Sequence, residues 1–237
     1  MNKEQLFDEI CKVKDFMIVS PQIGLIGLVP IRPNFQKLMS NPKIFRMIIE
    51  AMAGEIKNLN FDLLAGGESS GISWAAGLSL ILEKPFVYVR KAGIKGMLGD
   101  IVEGNFEKGQ KAILIDDLIS KSATLRMLLS NLKEAGLKVN DIFTIMACTG
   151  PWFEEDRGWL SEEGIKIHYL FSWQELAKAQ KKRGAIPEEI YPYYINYIEH
   201  PEEWQENKDK WQEYCQVLKH KLNIPIPEFL EDMLKMK

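Results

Sequence analysis

Residues 113–124 read ILIDDLISKSAT. An apolar run meets two adjacent carboxylates, Asp116 and Asp117, and then a turn rich in hydroxyls. Buried carboxylates are costly unless something binds them. In open parallel α/β sheets, ligands sit beyond the carboxyl ends of the strands. The N-terminus of the helix that follows offers free backbone N–H groups and the positive end of a dipole, a seat for phosphate. Ser120, Ser122 and Thr124 add hydroxyls there and Lys121 adds charge. The pattern points to a ligand with both hydroxyls and phosphate, the carboxylates accepting from sugar hydroxyls directly or through Mg²⁺. The same residue types also make ordinary N-caps, and the motif alone leaves both readings open.

The segments on either side set this strand in a sheet. FDLLAG (61–66) reads as a buried strand ending at a glycine turn, SGISWAAGLSLILEK (70–84) as a helix packed with small residues, and PFVYVR (85–90) as the next strand. KAILID (111–116) is the third strand. In TLRMLLSNLKEAG (124–136), Leu125, Leu128, Leu129 and Leu132 fall at helical spacing and Gly136 fits the stop. DIFTIMAC (141–148) and IKIHYLF (165–171) follow as strands. Strands separated by helices imply right-handed βαβ units and a mostly parallel sheet flanked by helices, an α/β fold. Burial of both sheet faces explains strands that are apolar throughout.

Two regions break this rhythm. VSPQIGLIGLVPIRPNF (19–35) reads as an irregular or β-rich N-terminal flap, before the helix pattern NPKIFRMIIEAMAGEIKNL (41–59). Residues 172–237, rich in Trp, Tyr, Glu and Lys, read as a helical appendage packed on the core or on a partner subunit. The expected division is 1–171, carrying the sheet and the flap, and 172–237.

Apolar residues make up 46% of the 237 and charged residues 27%, enough for a real core. A net charge of −3 lacks the basic excess of a nucleic-acid binder, and no apolar run is long enough to span a membrane. Cys11, Cys148 and Cys215, and His168, His200 and His220, are scattered and make no metal-type pattern. The amphipathic start MNKEQLFDEI is unlike a signal peptide. The expectation is a cytoplasmic protein with reduced thiols and neither nucleic acid nor membrane as partner.

Three motifs in order, FDLLAGGESSGISWAAGLS, KPFVYVRK and IVEGNFEKGQKAILIDDLI, resemble the type I phosphoribosyltransferases, most closely the orotate phosphoribosyltransferase family. The likeness covers roughly residues 15–170. It implies Mg²⁺-dependent transfer of a phosphoribosyl group from phosphoribosyl pyrophosphate (PRPP) to a nucleobase, with orotate the default acceptor and orotidine 5′-phosphate the product. It places Asp116 and Asp117 at the ribose hydroxyls, with Asp117 facing the developing positive charge. Residues Ser120, Lys121, Ser122, Ala123 and Thr124 would wrap the 5′-phosphate. Glu68, Ser69 and Ser70 would lie at pyrophosphate, with Arg90 and Lys91 at its edge. Lys95 would close over the site from a lid carrying Gly93, Gly96 and Gly99, acting in a related subunit of a homodimer. Ser120 and Cys148 would border the base. Mg²⁺ would be held mainly through PRPP, with Asp116 and Asp117 as further ligands.

This chain departs from the family pattern at three places. Ser122 and Ala123 stand where the phosphate loop has small glycines, and the lid GMLGD has no histidine. Residues 16–31 contain no Lys or Arg to meet an orotate carboxylate, and Arg157 is out of register for that task. Trp152 and Trp159, in the turn after 141–148, either stack on a flat base or pack. The alternatives that follow are transfer to a different base, or a non-catalytic regulator that binds PRPP or a nucleotide.

Overall fold

The computed structural model describes residues 2–24, 27–91, 100–120 and 123–235. In chain order the elements are α1 (Lys3–Ile10), β1 (Met17–Gly24), β2 (Gly27–Pro33), α2 (Phe35–Met39), α3 (Pro42–Ile56), β3 (Leu63–Gly67), α4 (Ser70–Leu82), β4 (Phe86–Val89), β5 (Val102–Glu103) and β6 (Lys111–Ile119). They continue with α5 (Ala123–Glu134), β7 (Lys138–Ala147), α6 (Pro151–Glu162), β8 (Lys166–Ser172), α7 (Trp173–Lys182), α8 (Tyr191–Glu199), α9 (Glu203–Glu206), α10 (Lys208–Leu222) and α11 (Glu228–Lys235). By internal contacts the chain forms two compact units, one of residues 1–6 and 39–172, the other of 7–38 and 173–237.

The first unit holds a six-stranded sheet ordered β5-β4-β3-β6-β7-β8. All neighbours are parallel except the short β5 against β4. The order reverses at β3: the chain steps outward to β4, then returns to add β6 on the other side. The crevice between the carboxyl ends of β3 and β6 is therefore the topological switch point, where such sheets bind ligands. Leu63, Leu64 and Ala65 of β3 and Ile113, Leu114 and Ile115 of β6 are fully buried, as expected of strands covered on both faces.

Helix signals in the sequence act as anticipated. Asn41 caps α3, its side chain accepting from Ile44 N at 3.2 Å, with Pro42 in the first turn. In α5, Leu125, Leu128, Leu129 and Leu132 are buried against the sheet. Gly136 then takes φ +95°, and Leu137 N donates back to Leu132 O, stopping the helix. The small residues of α4 permit close backbone approach. A Cβ on Gly71 would lie 2.2 Å from Ile115 O, and one on Gly77 would lie 2.1 Å from Ile49 Cδ1.

Several boundaries and elements differ from the sequence reading. β6 runs three residues past its expected end at Asp116, because Leu118 and Ile119 keep their pairing with Met146 and Ala147 of β7. The segment after β7 is the helix α6 rather than a turn, anchored by buried Phe153 and Leu160. The flap, by contrast, matches the β-rich alternative: it is a hairpin, β1 antiparallel to β2 with one irregularity between Val19 and Gln22.

That hairpin, expected with the sheet, is grouped by contacts with the C-terminal helices. Within this second unit Tyr214 Oη donates to Pro30 O at 2.8 Å and Gln205 Nε2 to Leu28 O at 3.1 Å. Trp204, fully buried, meets Tyr197, Trp211 and Tyr214 edge-on at centroid distances of 5.9, 4.9 and 5.5 Å. The aromatic tail is therefore a core of its own, of the kind that large aromatic side chains dominate.

Candidate active site

β6 delivers Asp116 and Asp117 to the switch point, and the first turn of α4 begins beside Asp116. The contact with α4 is backbone to backbone: a Cβ on Gly71 would also crowd Asp116 Cα at 3.2 Å, and one on Gly67 would stand 3.4 Å from Asp116 Oδ2. Glycines at 67 and 71 thus let the β3–α4 turn lie directly on the acidic pair.

Both carboxylates stay partly exposed at the end of a strand whose residues 112–115 are buried. Their hydrogen bonds within β6 are local: Asp117 N donates to Asp116 Oδ1 at 2.9 Å and Leu118 N to Asp117 Oδ1 at 2.8 Å. Burial and the neighbouring Asp117 charge push the Asp116 carboxyl well above the usual carboxylate range, and the Lys91 ammonium partly offsets this. Burial also raises Asp117, with Ser70 and the Leu118 N–H pulling it back down. Ser70 Oγ is close enough to Asp117 for that effect but, among the described residues, makes no hydrogen bond of regular geometry and is itself buried. Ser70 and Lys91 offset the burial only in part, so the pair keeps acceptor capacity for a further hydroxyl or cation.

Ser120 and Cys148, from the neighbouring strand ends of β6 and β7, come together. Cys148 N donates to Ile119 O at 2.8 Å. Burial raises the Cys148 thiol far above its usual range, the Ser120 hydroxyl opposing and the Asp117 charge adding to the shift. The thiol is therefore a neutral wall group rather than a nucleophile.

On the β3 side, Glu68 is engaged by backbone: its Oε2 accepts from Lys91 N at 2.8 Å. The Glu68–Ser69 peptide bond is cis, and Ser69 is exposed at the start of α4. Arg90 is held by Glu103 Oε1 at 3.1 Å and Tyr88 Oη at 3.2 Å, leaving Nε buried without a partner among the described residues. Ala123 and Thr124 open α5. Lys95, the lid glycines 93, 96 and 99, Lys121 and Ser122 lie outside the described residues.

Sequence reading missed Glu103 and Asn131. Asn131 Nδ2 donates to Arg90 O at 2.7 Å across 41 residues of chain; no local pattern marks such a pair. Trp159 lies under the Arg126 guanidinium at 3.8 Å and packs on the core, the packing alternative of the two considered. Arg157 pairs with Glu154 at 2.8 Å one turn away on α6. No group of three or more His, Cys, Asp or Glu capable of holding a metal occurs among the described residues.

A sheet of this order, with an acidic pair at its switch point, has the architecture that binds ligands beyond the carboxyl ends of its strands. Comparison with known proteins identifies the family. The family model described as phosphoribosyl transferase domain matches residues 35–177. The orotate phosphoribosyltransferase of Coxiella burnetii is 32% identical over 181 residues, 75% of this chain and 85% of its own length. That of Listeria monocytogenes is 31% identical over 172 residues, 72% of this chain and 78% of its own. Among solved structures, Leishmania donovani UMP synthase superposes with a TM-score of 0.73 at 20% identity, over 84% of this chain, which spans 42% of that one. Orotate phosphoribosyltransferase from Aeropyrum pernix gives 0.63 at 19% identity, over 77% of this chain and 99% of that one. The chain belongs to the phosphoribosyl transferase family, enzymes with the type I fold seen here.

Proposed function

We propose that this chain transfers the phosphoribosyl group of PRPP to orotate, giving orotidine 5′-phosphate and pyrophosphate. A ring N–H nitrogen of the base forms a bond to C1′ as the C1′–O bond to pyrophosphate breaks; the electron pair of that bond leaves with pyrophosphate, and the nitrogen's proton passes to the departing pyrophosphate or to water. The observation that carries the reading is the Asp116–Asp117 pair at the switch point, desolvated yet open on one edge. Ribose hydroxyls would satisfy these carboxylates, and their charge would face the oxocarbenium character that develops at C1′. Charge held ready in a poorly hydrated site is the strongest lever such an enzyme has. Lys91 and the N–H groups opening α4 would meet pyrophosphate. The start of α5, with Ser120, Ala123 and Thr124, would receive the 5′-phosphate. Ser120 and Cys148 would border the base. The names of the relatives support orotate as acceptor.

The residues present fit Mg²⁺ of a particular kind. Asp116 and Asp117 offer hard oxygen donors, but no third acidic ligand joins them among the described residues. The ion would therefore be held largely by PRPP oxygens and water, its usual preference. Its chemistry there is to neutralise the charge of the departing pyrophosphate.

We further propose a homodimer, since α4 ends in an apolar step, Leu80 84% and Ile81 45% exposed, that a second copy would cover. No described helix is long and apolar enough to cross a membrane. The cytoplasmic setting is a separate proposal.

The test is pyrophosphate release from PRPP and Mg²⁺ with orotate, uracil and the common purine bases. Release with orotate is the expected result. Release only with another base would reassign the pocket. PRPP binding without release would turn the reading to the non-catalytic regulator, which the side chains of the altered phosphate loop favour.

A further inference from the structure

The Arg90–Lys91 peptide is held on both of its polar sides by side chains that are distant in sequence. Its carbonyl, Arg90 O, accepts from Asn131 Nδ2 on α5 at 2.7 Å. Its amide, Lys91 N, donates to Glu68 Oε2 in the β3–α4 turn at 2.8 Å. The carbonyl fixes the orientation of the Asn131 amide, because only the nitrogen can donate. The neighbouring backbone is also tied down. Glu68 N donates to Val89 O at 3.0 Å, and Arg90 N donates to Ile101 O at 2.9 Å. Every backbone polar group from Val89 O to Lys91 N is thus paired, although β4 itself ends at Val89.

Ladder pairing from β3 and β5 accounts for the first two bonds. Side chains alone account for the last two. A carboxylate in a turn meant for pyrophosphate would repel that ligand if it faced the crevice. Here its charge is turned onto a backbone N–H, a charge-assisted bond of the stronger kind.

We propose that Glu68 and Asn131 are positioning residues, a two-sided clamp on the Arg90–Lys91 peptide that fixes the direction in which the Lys91 side chain leaves the end of β4. The clamp acts through Lys91 and touches no substrate. It joins the β3–α4 turn, α5 and the end of β4 into one rigid frame, so that the groups meant for pyrophosphate and for ribose keep their spacing. Such spacing matters because misplacement of a binding group by a fraction of a bond length already slows catalysis. The inference rests on the assignment of Lys91 to pyrophosphate made above.

The experiment is calorimetric titration of PRPP with Mg²⁺ into the full chain and its variants. Glu68→Ala and Asn131→Ala are each expected to weaken PRPP about tenfold, the scale of a lost hydrogen bond to a charged or buried group. Glu68→Gln should recover most of the loss, because its amide oxygen still accepts from Lys91 N. In a Lys91→Ala background, Glu68→Ala should add little, the signature of two residues acting as a unit. If Asn131→Ala does not fold, Asn131→Asp serves instead: it keeps the shape but sets an oxygen against Arg90 O, and should weaken PRPP at least as much. The clamp is overturned if Glu68→Gln falls as far as Glu68→Ala, which would mean the charge itself matters. It is equally overturned if Glu68→Ala costs as much without Lys91 as with it. A wild-type chain that binds no PRPP would remove the functional reading, and the clamp with it, before any variant is compared.

Discussion

The two ends of the central sheet treat acidic residues in opposite ways. At the amino end, Asp62 Oδ2 accepts from Lys111 N at 2.7 Å while Asp62 N donates to Lys111 O at 2.8 Å, so the side chain extends the β3–β6 ladder. Nearby, Asp141 of β7 meets His168 of β8 at 2.7 Å. At the carboxyl end, Asp116 and Asp117 bond to the N–H groups that directly follow them, and neither forms an ion pair among the described residues. Burial raises both pKa values instead, and the Asp117 charge adds to the rise at Asp116. Acids that complete the fold sit at one end; acids that the fold holds at a cost sit at the other. Groups perturbed in this way are the kind that active sites collect, which is why the proposed site is placed there.

Neutralising one acid at each end should give effects of opposite kind. The largest is expected for Asp117→Asn. Loss of one preorganised charge should lower pyrophosphate release by about 10²- to 10³-fold. The melting temperature should hold or rise, since an unfavourable charge is removed. Unchanged turnover would show that the ribose site lies elsewhere.

Asp116→Asn sharpens the contrast through pH. The folded chain keeps the Asp116 proton to a higher pH than the unfolded chain does, because its carboxyl is raised. Above the ordinary carboxylate range, about pH 4, the unfolded state therefore binds fewer protons, and this group's contribution makes stability fall as pH rises through the shifted window. The variant lacks that contribution. Its stability advantage over wild type should be near zero at the acid end and grow toward neutral pH in denaturant titrations. An advantage that is flat, or that shrinks with pH, would mean the pair is not strained by its own charge. Asp62→Ala should do the reverse. It should cost about 1 kcal/mol for a lost backbone partner and leave turnover as in wild type.

The same division governs what could be read from sequence. β4, β7 and β8 were legible from their β-branched and aromatic residues, α3 and α5 from stripes and caps that are local, and β3 and β6 because strands buried on both faces run apolar without a break. The acidic pair was legible for the same reason: two charges stand out at the end of such a run. Legibility failed where structure rests on backbone pairing. β6 continues through its two acids because β7 is alongside, with Asp116 opposite Thr144. β5 is two residues whose only signature is the register of Tyr88 with Glu103. α6 buries Phe153 and Leu160 but has few other apolar positions to show a period. In the site, Glu68 was placed correctly in the turn, but its direction was not legible. Its partner Lys91 N is 23 residues away, and a backbone N–H leaves no trace in composition.

The smallest effect is expected at Asp141. Its carboxylate and the His168 ring are 17% and 29% exposed, so water already shares their polar atoms. Partly solvated pairs of this sort contribute less than about 1 kcal/mol. Asp141→Asn keeps the shape and an oxygen within reach of His168 Nε2, and the ring keeps its stack on Phe143 at a centroid distance of 6.5 Å. Denaturant titration at neutral pH should therefore show a loss of a few tenths of a kcal/mol, on the order of the lower end of that range, with PRPP turnover as in wild type. Asp62 ranks above it because its partner is a backbone N–H fixed in the ladder, whereas the His168 ring can turn to water. A marked loss of turnover in Asp141→Asn would break the comparison outright. Charge at the amino end would then be felt at the carboxyl end, and the acids there could no longer be assigned to the fold alone.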